Sequence, residues 1–255
     1  MVERSNKPES DDETRLLLRN LRPEDHPALS RLMARAYSGI KDSRWSKDEF
    51  VAQLNRFPEG QLCIEDNGDV VAAALTLIVN YARFGDRHTY RQITGDGYFT
   101  THDPNGDVLY GVDVFVDPEY RGMRLGRRLY DARKDLCRNL NLRAIIAGGR
   151  IPGYHNYAQE MSPEEYVQLV RQRELHDPIL SFQLANDFQA RRVIRDYLPD
   201  DKDSLGFATV LEWSNIHYEE LEAPVIEARK TTVRVGTVQW QMRGMNSVEE
   251  LMGQA

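Results

Sequence analysis

Val114-Phe115-Val116-Asp117-Pro118-Glu119-Tyr120-Arg121-Gly122-Met123-Arg124-Leu125-Gly126-Arg127-Arg128-Leu129 is the stretch on which the reading of this chain turns. An apolar strand stops at Asp117-Pro118, a short turn follows, and a helix begins among glycines and arginines. The first-turn amides of such a helix have no intrahelical acceptor and point the positive end of its dipole outward. Gly122 and Gly126 lack a Cβ, so a ligand can approach the backbone closely there. Arg121, Arg124, Arg127 and Arg128 add positive charge at a helix end that by itself favours acids. Four arginines in that place are unfavourable unless an anion sits among them, and a local rule broken in this way marks a functional site. The competing reading makes residues 121–134 the solvated basic face of an amphipathic helix. Other phosphate-binding turns find no support, because neither Gly-x-Gly-x-x-Gly nor Gly-x-x-x-x-Gly-Lys-Ser/Thr is complete.

Working outward, Leu125, Leu129, Ala132, Leu136 and Leu140 recur at helical steps, which predicts a helix over residues 124–140 with one apolar stripe. Residues 108–116 before it and 143–149 after it read as strands. Together they form a crossover unit that must be right-handed if its strands are parallel. Residues 15–21 are a strand, and Pro23 opens a helix carrying Leu29, Leu32, Met33, Ala36 and Tyr37 at helical spacing. Ser46 with Glu49 forms a capping box for a second helix, residues 46–57. Residues 61–65 and 70–80 are strands joined by the turn Asp66-Asn67-Gly68-Asp69. Residues 81–107 read as a long loop with short extended pieces. Ser162-Pro163-Glu164-Glu165 caps a further helix, residues 178–185 form another, and 189–197 and 206–213 are two closing strands. This order is that of an α/β protein with a mixed sheet.

At the quoted residues the sequence resembles the GNAT superfamily of N-acetyltransferases. Its signature is a strand ending in a Val-x-Val-x-Pro-like run, then Arg/Gln-x-x-Gly-x-Gly/Ala opening a helix. Val114, Val116, Pro118, Arg121, Leu125 and Gly126 match, while Arg124 stands at the usual middle glycine, which implies a remodelled contact. The resemblance covers residues 14–213. It implies a three-layer fold with a mixed, mostly antiparallel twisted sheet of about seven strands and helices on both faces. It also implies acetyl-CoA as acyl donor. The backbone of Val114, Phe115 and Val116 would pair with the pantetheine arm, and Arg121, Gly122, Met123, Arg124, Leu125, Gly126 and Arg127 would hold the pyrophosphate. The implied activity is transfer of an acetyl group to a primary amine of a small molecule or peptide, by direct attack in a ternary complex. The alternative, from a different class, is a non-catalytic acyl-CoA sensor attached to a carbon–nitrogen hydrolase.

Acylating an amine needs a base for the amine and a proton for the departing thiolate. Asp113 is the candidate base, because a carboxylate inside an apolar strand has its pKa pushed upward. The competing reading has Asp113 facing a polar loop and accepting backbone hydrogen bonds. The family often places a tyrosine, as thiolate donor, in the helix before the penultimate strand. Setting Asn186-Asp187-Phe188 on the family's Leu-Gly-Phe puts Gln183 there instead. Tyr154 as catalytic acid and Tyr157 at the substrate are the replacements expected, since both lie just beyond Gly149. Residues 150–177 form a long insertion, expected as a wall or lid over the acceptor site, with Arg150 available for a substrate carboxylate. The six histidines show no metal-ligand spacing, and no metal is expected.

Composition narrows the remaining classes. The chain has 255 residues, 41% apolar and 29% charged, with a net charge of -7, so no overall field draws it to nucleic acid or anionic membrane. Residues 1–13 read as a disordered tail without a secretory h-region, and the longest apolar run, residues 70–79, is far shorter than a membrane span. Cys63 and Cys137 read as buried small hydrophobes. A cytoplasmic location is expected. Residues 14–221 form the acyltransferase domain and 222–230 a linker. Residues 231–255 are a strand and a nascent helix with no core of their own. Val233-Arg234-Val235-Gly236-Thr237-Val238-Gln239-Trp240-Gln241 resembles the first strand of carbon–nitrogen hydrolases of the nitrilase family. The chain is thus similar to the front half of an acetyltransferase–nitrilase fusion. The hydrolase's glutamate, lysine and cysteine would lie beyond Ala255, so no hydrolysis is expected from these residues. The other reading adds this strand to the edge of the first domain, or to a second copy in a homodimer.

Overall fold

Seven strands make one sheet: β1 (Leu16–Asn20), β2 (Gln61–Asp66), β3 (Asp69–Val79), β4 (Val108–Val116), β5 (Ala144–Arg150), β6 (Gln189–Ile194) and β7 (Ala208–Ser214). Their spatial order is β1-β2-β3-β4-β5-β7-β6, with only β4 and β5 parallel. The structure, a computed structural model, describes residues 16–36 and 45–220. The expected tail, linker and hydrolase-like strand lie outside those residues, as does Tyr37.

The sequence rules for the front half hold where the interactions are local. Asn67 at φ 48° and Gly68 at φ 95° form the two-residue turn between β2 and β3, both in the left-handed region that asparagine and glycine tolerate. The Ser46 hydroxyl accepts from the Glu49 amide at 3.2 Å, and the Glu49 carboxylate accepts from the Ser46 amide at 2.7 Å. This capping box starts α2 (Lys47–Arg56). β3 is buried on both faces, which is why it reads as one apolar run rather than an alternation. Ala73, Leu75, Leu77 and Val79 face a core shared with α1 (His26–Ala36) and α2, while Ala72 and Ala74 face Leu125 and Leu129.

Residues 81–107 depart from the loop expected there. They form helical turns at Tyr81–Arg83 and Gly85–Arg87, then α3 (Tyr90–Thr94) and a π turn at Gly95–Phe99. Thr89 and Gln92 cap α3 reciprocally, and Gly95 ends it at φ 57°. A five-residue helix is too short to show a 3.6-residue period in the sequence.

On the other face lie α4 (Leu125–Asn139), α5 (Pro163–Arg171) and α6 (Leu180–Leu184). Residues 150–177 are not the expected lid: Ile151, Tyr154, Tyr166, Val167 and Val170 are buried with Leu109, Ile145, Leu180 and Leu211 in a second core. The insertion is a packing layer because its apolar residues match the α4–α6 side of the sheet. Cys63 and Cys137 are free and buried, and burial pushes both thiols up to about 12. Among the described residues no helix is long and apolar enough to cross a membrane.

Candidate active site

The site begins where the parallel pair comes apart. β4 and β5 are paired only from Val108↔Ala144 to Gly111↔Ala147. Beyond that point β4 stays with β3, and β5 stays with β7. Leu75 pairs with Asp113 and Thr76 with Gly111, so Val112 is an extra residue, a bulge that bends β4 away. Arg133 of α4, 3% exposed, reaches the bulge and donates to the Leu75 carbonyl at 2.7 Å and to the Asp113 carbonyl. The sequence signal for it is a charged residue within the apolar stripe of α4.

A cleft of about 510 Å³ opens between the parted strands. Its outer end is the quoted turn. Arg124 caps α4 at φ 59° with no side-chain cap bond, so the first-turn amides of Leu125, Gly126 and Arg127 have no acceptor from the helix or its cap. Gly122 sits at φ 86°, a conformation that calls for glycine. Arg121, Arg124, Arg127 and Arg128 are exposed, and the ion pairs of the described residues do not involve them. A non-glycine residue at φ 59° carries strain of about 1–2 kcal/mol, part of which glycine would return as entropy of the unfolded chain. Arg124→Gly should therefore gain about 0.5–1 kcal/mol in urea unfolding and weaken acetyl-CoA binding in calorimetry. A loss of stability would contradict the strain.

Deeper in, Asp113 is half-buried and accepts from the Tyr90 hydroxyl at 3.2 Å, while the Tyr90 amide donates to the Tyr197 carbonyl at 3.0 Å. Tyr197 lies against β5, where a Cβ on Gly148 would be 2.2 Å from its ring. Burial pushes the Tyr197 and Tyr110 hydroxyls well above the ordinary tyrosine value, so both keep their protons. Gln183, 7% exposed, has a side-chain oxygen with no hydrogen-bond partner and also lines the cleft.

Asp113, Val114, Val116, Arg121, Gly122, Arg124, Leu125, Gly126 and Arg127 line the cleft together. Phe115 points into the opposite core, 6.3 Å from Trp45, which leaves its backbone at the β4 edge, and Met123 is 45% exposed outside the lining. Tyr154 does not line the cleft. It is 4% exposed, donates to the Met161 carbonyl at 3.2 Å and packs on Tyr166 and Phe207. Tyr157 packs on Tyr166 at 5.4 Å, also away from the cleft. The turn Pro152–Asn156 carries both over α5 and into the second core. Arg150 does line the cleft, but its guanidinium donates twice to Asp201, at 2.6 Å each, so a carboxylate of this chain holds the place expected for a substrate. Tyr90, Arg133, Gly148 and Tyr197 join the site with no sequence signal that marks them as site residues, and Gln183, at the position of the family's tyrosine, lines it too.

With a split parallel pair, an uncapped glycine–arginine helix start and a cleft between them, the chain belongs to the Acetyltransferase (GNAT) family, which it matches over residues 26–152. It is 37% identical over 176 residues to an uncharacterized N-acetyltransferase, YkwB of Bacillus subtilis (strain 168), covering 69% of this chain and 77% of that protein. It is 41% identical over 242 residues to a probable hydrolase of the same organism, YhcX, covering 95% of this chain. The chain spans only 47% of the length of that protein, consistent with a GNAT–hydrolase fusion. Among solved structures it resembles GphF, a GNAT-like decarboxylase in complex with isobutyryl-CoA. The TM-score is 0.66 at 25% identity, over 78% of this chain and 98% of that one.

Proposed function

We propose that this domain binds acetyl-CoA and passes the acetyl group to a primary amine of a small molecule or peptide by direct attack. The observation that carries this reading is the cleft between β4 and β5, lined by both the helix start and Asp113. The amides of Leu125, Gly126 and Arg127, with the nearby guanidiniums, would hold the pyrophosphate. The edge of β4 at Val114 to Val116, beyond its pairing with β5, would pair with the pantetheine amides. Backbone amides near Val114 would polarise the thioester carbonyl, so catalysis comes mainly from positioning and preorganised dipoles. An ammonium acceptor loses two protons on its way to an amide, one before attack and one after. Asp113, held by Tyr90, takes one of them.

A second reading is favoured by the likeness to GphF: the same cleft would release carbon dioxide from a carboxyacyl-CoA with no amine involved. Calorimetry with acetyl-CoA, free-thiol release across an amine panel and carbon dioxide release from a carboxyacyl-CoA separate these. Tight binding with amine-dependent thiol release is expected. Carbon dioxide release without amine dependence would move the assignment to decarboxylation, and binding without any turnover would leave an acyl-CoA sensor. Because the arginines are exposed, binding should weaken severalfold between about 0.05 M and about 0.5 M salt. Salt-independent binding would remove the phosphate turn from the argument.

A further inference from the structure

Behind the cleft, three buried side chains run in line from Tyr197 into the core. The Tyr197 hydroxyl is 2.9 Å from that of Tyr110, which is 2.8 Å from His88 Nε2, and His88 Nδ1 is 2.6 Å from the Gly85 carbonyl. The far end fixes the direction of every proton. A carbonyl oxygen only accepts, so His88 Nδ1 carries hydrogen. His88 is 3% exposed and burial lowers its pKa, so the imidazole is neutral and Nε2 accepts. Tyr110 must therefore donate to Nε2 and accept from Tyr197. Tyr197, a buried residue in the wall of the cleft, thus keeps an oxygen lone pair able to accept a proton.

We propose that Tyr197, Tyr110 and His88 form a proton relay that takes the first proton of the ammonium acceptor and later returns it to the thiolate. The proposal rests on the amine-transfer reading. An N–H bond of the ammonium breaks and its proton joins the Tyr197 oxygen. The Tyr197 proton moves to Tyr110, and the Tyr110 proton moves to His88 Nε2, leaving a neutral amine and an imidazolium. The amine attacks the thioester carbonyl, the C–S bond breaks, and the nitrogen gives its second proton to Asp113. The chain now runs the other way: His88 donates to Tyr110, Tyr110 to Tyr197, and Tyr197 to the thiolate, which leaves as thiol. Asp113 then releases its proton to water, so one proton appears in solution per acetyl group transferred.

Among the described residues, the titratable groups facing His88 are Tyr81, Asp86, Tyr110 and Tyr197. Among the described residues Asp86, which accepts from Tyr81 at 2.9 Å, is the charge near enough to favour a transient imidazolium against the cost of burial. Phenylalanine at position 110 would fill the same space. The hydroxyl is what links His88 to Tyr197, and the glycine at 148 is what admits the Tyr197 ring.

Tyr110→Phe keeps the ring and cuts the relay. With the best amine of the panel, thiol release should fall about a hundredfold while the acetyl-CoA KM stays put, and the acidic limb of the kcat/KM profile should move. Nitrogen-15 NMR of the unmodified domain should give His88 as the Nδ1–H tautomer. A Tyr110→Phe enzyme with the wild-type rate, or with a slower rate on an unshifted pH profile, overturns the relay and leaves the transfer reading intact. An Nε2–H tautomer overturns the relay without reference to activity. No thiol release with any amine removes the transfer reading and the relay with it. Tyr197→Phe, which breaks the chain at the cleft end, should repeat the effect if Tyr110→Phe does not fold.

Discussion

Arg133→Met should lower stability in urea unfolding by about 3 kcal/mol, since hydrogen bonds from a charged group contribute about 1.5–3 kcal/mol each. Methionine matches the aliphatic part of the side chain, so the change isolates the guanidinium. Arg133 donates across the bulge to Leu75 on β3 and Asp113 on β4, and so fixes the place where β4 bends away from β5. The loss should reach function as well as stability, because the Asp113 carboxylate hangs from the same residue whose carbonyl Arg133 holds. Thiol release should fall more than acetyl-CoA affinity, since the turn proposed to hold the phosphates is built from other cleft residues, Arg121 to Arg127. Equal losses in both would mean that the whole sheet had shifted.

Arg150→Ala should be at least as damaging, about 3–5 kcal/mol, because it strands a buried charge. The Asp201 side chain is 1% exposed and that of Arg150 is 14% exposed. Burial alone would raise the Asp201 pKa. Hydrogen bonds from Arg150 and Ser204, with the Arg150 charge, outweigh it and hold the carboxyl below its ordinary value. A depressed folded-state pKa gives stability that is complete above the unfolded value and lost as pH falls through the folded one. The gap between wild type and Arg150→Ala should therefore be widest near neutrality and close below about pH 4. Asp201→Asn added to Arg150→Ala should recover part of the loss, since it removes the stranded charge. A rise in acceptor KM with unchanged stability would instead return Arg150 to the substrate-binding role that the sequence suggested.

That reversal for Arg150 illustrates how far the sequence reaches. Arginine directly after a strand at the mouth of a cleft is chemically suited to a substrate carboxylate. Nothing within ten residues of it says that Asp201, 51 positions away, fills that role. Tyr154 and Tyr157 failed in the same way. Their distance from Gly149 along the chain was right, but the apolar side of α5 drew both into the second core. The helical segment at residues 81–107, which brings Tyr90 and His88 to the site, was hidden because its elements are too short for periodicity to register.

The sequence by itself determined the features that depend on near neighbours. These are the β2–β3 turn at Asn67 and Gly68, the Ser46–Glu49 cap, the apolar stripe of α4, and the uncapped arginine-rich helix start. Each follows from backbone preference or from hydrogen bonds spanning a few residues, and together they sufficed for the fold and for one end of the cleft. Only the tertiary structure decided the other end. Tyr110 and Tyr197 meet across 87 positions, Arg133 reaches Asp113 across 20, and Gly148 must be glycine because of a ring on another element. Local chemistry says which groups a residue offers, but the partner is chosen by packing of distant segments, and a single sequence carries no local trace of that choice.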